Sequence, residues 1–206
     1  FFSLATVYFA RRRNWPFAGM MGMITSASRI VGVVIWALIL FEWLRSHDWA
    51  LSRVHRLETW HKLGRAFKTD WGSLLWTCLT PVGLLSYMMF LKTKFGDPIA
   101  FWWVQSTWGR GSKGPFASII QDFNSLLHQN FGTGEIFWNS LLNLIVLVLV
   151  VILSLVVWRR MGAGYGIYSL LGILIPAESG TGSLIRYALV IFPVFMILGS
   201  WGRRAW

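Results

Sequence analysis

Residues 137–158 read FWNSLLNLIVLVLVVILSLVVW, a run without a charged side chain that ends directly before Arg159 and Arg160. At 1.5 Å per residue, a helix of this length covers the roughly 30 Å hydrocarbon core of a bilayer. Among lipid-exposed segments, a helix can satisfy all its own backbone hydrogen bonds. The run therefore predicts a transmembrane helix and, with it, an all-α membrane protein.

The composition of the whole chain agrees with this prediction. Of 206 residues, 55% are hydrophobic and 13% are charged, whereas soluble domains carry about 25% charged residues. A globule this apolar, with 14 Trp and 15 Phe, would not keep its surface in water, which argues against a soluble enzyme. The net charge of +11 is distributed between apolar runs and not along one polar face, so we expect no nucleic-acid partner.

Other apolar segments predict further helices: residues 1–10, 15–44, 73–92, 165–177 and 184–201. The first is half a span, which suggests that the sequence begins inside a longer protein. Segments 73–92 and 184–201 have the length of ordinary spans, whereas 165–177 is short and needs either continuation to residue 183 or a thin membrane. The chain is therefore expected to be one polytopic transmembrane domain, 1–206, with short broken or re-entrant helices, integral to a lipid bilayer.

Segment 15–44 allows two interpretations. Basic residues flank it on both sides, at 11–13 and between 45 and 68, and positive loops favour the cytoplasmic face. A hairpin of two short helices, with Arg29 at its outer turn, places both flanks inside. One long tilted helix would instead bury Arg29 at mid-depth.

Two segments between the spans have a different character. Residues 45–70 alternate apolar and basic positions at helical spacing, which predicts an amphipathic cytoplasmic helix on the anionic inner leaflet. Residues 95–134 are assigned to the outer face and predict two aromatic, interfacial helices, 99–108 and 116–129. The four His and the single Cys78 show no metal-ligand spacing, so we expect no metal site.

Three arginines do not belong to the cytoplasmic group. Arg29, Arg110 and Arg186 are all assigned to the outer boundary of the membrane, where their guanidinium groups suit a phosphate clamp. Glu178, in the loop before Arg186, is placed to balance charge or to bind a sugar hydroxyl. This outer group is the candidate functional site.

Three motifs resemble one known family. The run Gly96-Asp97-Pro98-Ile99-Ala100-Phe101, followed by Gln105, Trp108, Gly109 and Arg110, resembles the GDPxAFxxAQxxWGR signature of PIG-V-type mannosyltransferases, relatives of the GPI mannosyltransferase that adds the second mannose. Ser179-Gly180-Thr181, Ser183, Arg186-Tyr187-Ala188-Leu189 and Phe192-Pro193 are similar to its SGT…S…RYxLxxFP segment. Residues 11–32 are similar to its RRxxWxxAGxxxxxxxxTRxxG segment, with Ser28 and Ile30 where Thr and Pro are usual.

The resemblance implies a C-type glycosyltransferase that moves mannose from a polyprenyl-phosphate donor, without a cofactor or metal, to a hydroxyl of a glycan, lipid or protein acceptor. It implies a multi-pass location in a bacterial plasma membrane, or in the endoplasmic reticulum of a eukaryote. The catalytic Asp would lie in an earlier motif such as RWDxxWY, upstream of Phe1, so the chain is expected to be inactive alone. The residues implied in substrate binding are Arg29, Gln105, Trp108, Arg110, Glu178, Arg186 and Tyr187.

Two other functions fit the same pattern. Short broken helices and membrane arginines also occur in transporters, so a flippase for lipid-linked saccharides is one alternative. A non-catalytic membrane subunit is the other. An acidic residue among aromatics in the preceding external loop would favour the transferase, and a second copy of the present pattern would favour the transporter.

Overall fold

The computed structural model describes residues 1–47, 49, 57–107, 117–128, 135–179 and 184–203, and within these ranges every regular element is a helix. The expected all-helical class is therefore confirmed for the described residues. The chain divides into two compact units, Phe1–Pro98 and Ile99–Trp206. Each is described by itself.

Unit 1 contains α1 (Phe2–Arg11), α2 (Trp15–Ser28), a 3-10 segment (Ile30–Val34), α3 (Ile35–Ser46), α4 (Leu57–Thr69), α5 (Trp71–Thr77) and α6 (Leu79–Phe95). The last two helices are almost continuous. α6 ends at Gly96, which adopts a left-handed φ of 77° and donates its N–H to the Lys92 carbonyl at 3.0 Å. Glycine takes this conformation without a Cβ clash, which makes it a common helix terminator.

Segment 15–44 is interrupted at Arg29. α2 ends at Ser28, whose hydroxyl donates to the Thr25 carbonyl at 2.8 Å, a local bond that competes with helix continuation. Arg29 itself is extended, with φ −151° and ψ 137°, and its carbonyl accepts the N–H of Gly32 at 2.8 Å. One continuous helix is therefore excluded, while the orientation of the two helices relative to a bilayer stays a prediction.

α2 packs closely against α5 and α6 through glycines. A Cβ atom added at Gly19 would collide with the Trp76 carbonyl, and one added at Gly83 would collide with the Met23 carbonyl. Small residues allow this backbone approach, as at many helix contacts in membranes. Because the contacts advance in the same direction along both partners, α2 and the α5–α6 pair run parallel.

The end of α3 returns to the end of α1. Glu42 of α3 lies 3.7 Å from Arg11 Nε and 3.8 Å from Arg45 Nη1. At the same end of α3, His47 Nε2 lies 3.3 Å from Asp70 Oδ2, directly before α5. α2 carries the chain from this end to Arg29 over 14 residues, about 21 Å of helix.

Unit 2 contains α7 (Ala100–Thr107), α8 (Ala117–His128), α9 (Glu135–Met161), α10 (Ala163–Ser179), α11 (Leu184–Ala188) and α12 (Phe192–Gly202). Gly162, at φ 107°, is the only residue between α9 and α10, which pack antiparallel. The core of unit 2 joins α9, α10, α11 and α12 through Leu147, Val150, Leu153, Ile173, Ala177, Leu184, Ile191 and Val194.

The expectation of one ordinary helix over residues 184–201 is wrong. The structure divides this segment into α11 and α12, with a turn in which Ile191 N–H donates to the Ala188 carbonyl at 3.2 Å. Pro193 explains the break, because in a continuous helix it would lack an N–H and its ring would clash with the Leu189 carbonyl. The short segment 165–177 is the middle of α10, which extends it to 17 residues with Pro176 inside.

Among the described residues, two helical segments are long and apolar enough to cross a membrane: Trp71–Phe95, which is α5 with α6, and Phe137–Met161 of α9. A core helix of a soluble protein passes the same test but is mostly buried. Here only 22% and 39% of the respective apolar windows are buried, so both helices present apolar side chains outward. This exposure favours association with a membrane.

Candidate functional site

Unit 2 places Glu178 apart from the arginines that end α9. α10 returns antiparallel along α9 but has 17 residues against 27, so Glu178 near its end lies beside the middle of α9. Arg159 and Arg160 lie at the end of α9 from which α10 starts. The guanidinium of Arg160 is 5.7 Å from the ring of Trp201, so the end of α12 also lies there, directly followed by Arg203.

Glu178 lies where α8 meets α10. Its side chain is half-buried, and its backbone carbonyl accepts the Ser118 hydroxyl at 3.2 Å. This bond fixes the first turn of α8 beside the last turn of α10. Along α8, Ile120, Phe123 and Leu127 remain exposed and form an apolar face next to the site.

Arg186 and Tyr187 are presented by the short helix α11. Leu184 is fully buried in the core of unit 2 and anchors the start of α11. Tyr187 is half-buried against the same core, whereas the Arg186 side chain is exposed. α11 contacts both α9 and α10, so Arg186 and Glu178 are carried by two helices in contact.

These residues have complementary chemistry. An exposed guanidinium is a bidentate donor to phosphate oxygens, and a half-buried carboxylate accepts hydrogen bonds from hydroxyl groups. Glu178 and Arg186 therefore carry the kinds of group that bind hydroxyls and phosphates.

Arg29 lies in unit 1. Its side chain is exposed at the break between α2 and the 3-10 segment, at the end of unit 1 away from Glu42. Its convergence with Arg110 and Arg186 stays a prediction, because Arg186 belongs to the other unit.

The remaining candidates lie on or after α7. Gln105 falls in the last turn of this helix. Elsewhere on α7, the side chains of Trp102, Trp103 and Val104 are exposed, and tryptophans of this kind are common at membrane interfaces. Trp108 and Arg110 lie outside the described residues. Over the part of the chain that the structure describes, no three His, Cys, Asp or Glu residues lie close enough together to hold a metal ion.

A second charged group was not predicted from the sequence. Arg11 and Arg45 were assigned only to membrane topology, yet both lie beside Glu42, which is 9% exposed. The available signal was Glu42 itself, a lone acidic residue directly after the apolar run 30–41, where a charge is costly unless it is paired.

No family model matches this chain, and no curated protein or solved structure is detectably similar to it.

Proposed function

We propose that this chain is part of a membrane glycosyltransferase, which moves mannose from a polyprenyl-phosphate donor to an acceptor hydroxyl at the outer or lumenal face. The observation that carries the proposal is the separation of charge in unit 2. Glu178 and Arg186 lie on two helices in contact, away from Arg159, Arg160 and Arg203. The order of the three family-like motifs along the sequence supports the same function.

In the proposed reaction, the bond from the sugar C1 to the donor phosphate breaks as C1 bonds to the acceptor oxygen, with inversion. The departing phosphate gains negative charge, which Arg186 stabilises. The acceptor proton passes to a carboxylate of the protein. Gln105 and Arg110 contact donor or acceptor, Trp108 stacks on a sugar ring, and Glu178 and Tyr187 bind hydroxyls.

Replacing Arg186 tests this proposal. In the full-length protein in native membranes, we expect Arg186→Ala to reduce mannose transfer from labelled polyprenyl-phosphate-mannose about 100-fold at limiting donor, as for loss of a transition-state donor. Arg186→Lys keeps the charge but loses the bidentate fork. Its rate of mannose transfer should therefore fall between that of the unchanged protein and that of Arg186→Ala. Arg203→Ala, at the opposite end of unit 2, is the control and should leave transfer unchanged. Unchanged turnover in Arg186→Ala would contradict the proposal.

The broken helices at Arg29 and Pro193 favour a second candidate, since transporters build substrate sites from interrupted helices. Sealed vesicles containing the protein and the labelled donor, without acceptor, distinguish the two functions. Movement of the donor to the opposite leaflet, with no product when acceptor is added, would favour the flippase. Product formation without movement would favour the transferase.

A further inference from the structure

A cleft of about 340 Å³ lies in unit 1, where the ends of α1 and α3 meet. Its volume is at the lower limit for small-ligand pockets, about 300 Å³. The residues that line it are Ala10, Arg11, Arg13, Glu42, Arg45 and Ser46. It lies at the end of unit 1 opposite to Arg29, and none of its lining residues is assigned to the proposed sugar-transfer site.

The arginines of the cleft are held by the fold. Glu42 is 9% exposed and lies within 4 Å of both Arg11 and Arg45, so one carboxylate orients two guanidinium groups. Arg13 has a positive φ of 57°, a conformation that is uncommon for residues other than glycine. At Arg13 it belongs to the turn that ends α1, in which Arg13 N–H donates to the Ala10 carbonyl at 2.9 Å and Asn14 N–H to the Phe9 carbonyl at 3.0 Å.

The charge of the cleft remains positive after its internal compensation. Three guanidiniums and one carboxylate leave a formal charge of +2. α1 and α3 both end at the cleft, and each helix C-terminus acts as roughly half a negative charge. The N-terminus of α2, directly after Arg13, carries about half a positive charge and offsets one of these helix ends. Among the described residues, Glu42 and the helix ends therefore do not neutralise all three arginines.

We propose that this cleft binds an anionic phosphate group, supplied either by the headgroup of an anionic lipid or by a soluble phosphate. Arg is suited to the task because its planar fork matches phosphate oxygens. Basic pockets between helices at the cytoplasmic surface are a known form of headgroup site. The cleft is also adjacent to the apolar helix α1, on which Leu4 and Tyr8 are exposed.

Equilibrium binding to the purified chain in neutral detergent tests the proposal. The probes are short-chain phosphatidic acid, short-chain phosphatidylcholine and inorganic phosphate. The test variant is Arg13→Asn/Arg45→Gln, because Asn tolerates the left-handed backbone at position 13. Arg12→Gln/Arg65→Gln is the matched control. It removes the same charge, but Arg12 stacks on Tyr8 at 4.5 Å and neither residue lines the cleft.

We expect the chain to bind phosphatidic acid more tightly than phosphatidylcholine, and the test variant to bind it about tenfold more weakly. The control pair should change affinity less than twofold. Circular dichroism checks that each variant is folded, and Arg45→Gln alone, expected to lose about threefold, serves if the double variant is not.

Each outcome either shows whether the phosphate comes from a lipid or from a soluble ligand, or overturns the proposal. Equal binding of inorganic phosphate, with the same dependence on Arg13 and Arg45, supports the site and identifies a soluble ligand. Binding of phosphatidic acid alone supports the site and identifies a lipid. If the control pair weakens binding as much as the test pair, the proposal is wrong. It is also wrong if the chain binds neither phosphatidic acid nor inorganic phosphate.

Discussion

At the scale of single residues, small side chains set the distance between α2 and α6. A Cβ at Gly22 would meet the Thr80 hydroxyl, and the Ser26 hydroxyl donates to the Thr80 carbonyl across the same contact. The Ser26 side chain is buried, so this bond satisfies a polar group that would otherwise be costly in an apolar environment. Close packing and a buried hydrogen bond therefore replace large apolar side chains at this contact.

Gly83→Ala tests the importance of this contact. The added methyl would collide with the Met23 carbonyl and the Ser26 hydroxyl, and backbone must move to admit it, so we expect a loss of about 1–3 kcal/mol in the free energy of unfolding. Denaturation by sodium dodecyl sulfate, followed by circular dichroism, measures it. Gly72→Ala is the control, since nothing lies within 4 Å of its Cβ. Equal stability of Gly83→Ala and Gly72→Ala would show that α2 and α6 are not packed this closely.

At the scale of helices, a glycine and a proline mark two of the boundaries between the elements of unit 2. Gly162 forms a one-residue turn that reverses the chain between α9 and α10. On the returning helix α10, Gly166 lies against Trp158 of α9. Pro193 separates α11 from α12. Without this break, Arg186 would lie within a long helix instead of on a short one.

Gly162→Ala should destabilise unit 2 although the site has room for a methyl group. Nothing lies within 4 Å of a Cβ at this position, but its φ of 107° is one that Ala rarely adopts, at a cost of about 1–3 kcal/mol. The same detergent denaturation measures the change. Gly199→Ala, which has space and no positive φ, should be neutral or slightly stabilising. A neutral Gly162→Ala would mean that the turn is formed in another way.

Some element boundaries follow from sequence alone. Helices expected over 99–108 and 116–129 correspond, within the described residues, to α7 and α8. The apolar length of 184–201 predicts one helix, but it does not account for Pro193. The length of an apolar run indicates whether a helix can span a bilayer, whereas a proline removes one backbone hydrogen bond from that helix in any environment.

At the scale of the whole molecule, each unit separates its arginines between two ends. In unit 1, Arg11, Arg13 and Arg45 lie at the end opposite Arg29. In unit 2, Arg160 and Arg203 lie away from Arg186. If both units cross a bilayer, the positive-inside tendency places the larger group of described arginines in the cytoplasm, with Arg29 and Arg186 further toward the outer face.

Cysteine accessibility measures this orientation. In a Cys78→Ser background, we expect a membrane-impermeant maleimide to label Ile185→Cys in intact cells, but Arg203→Cys only after permeabilisation. In unit 1, we expect labelling of Ala27→Cys in intact cells and of Arg12→Cys only after permeabilisation. The background without an added cysteine controls for nonspecific labelling. Two positions of one pair labelled from the same side would contradict the predicted topology.

The sequence by itself determined the all-helical class and the two long apolar helices, because hydrophobicity and hydrogen bonding within a helix are local properties. It also pointed to Glu178, Arg186 and Tyr187, since residues close in sequence stay close on consecutive helices. Only the tertiary structure decided that Arg11, Arg13 and Arg45 share a cleft with Glu42. That grouping depends on α3 returning to the end of α1, and such long-range contacts are set by the packing of several helices at once.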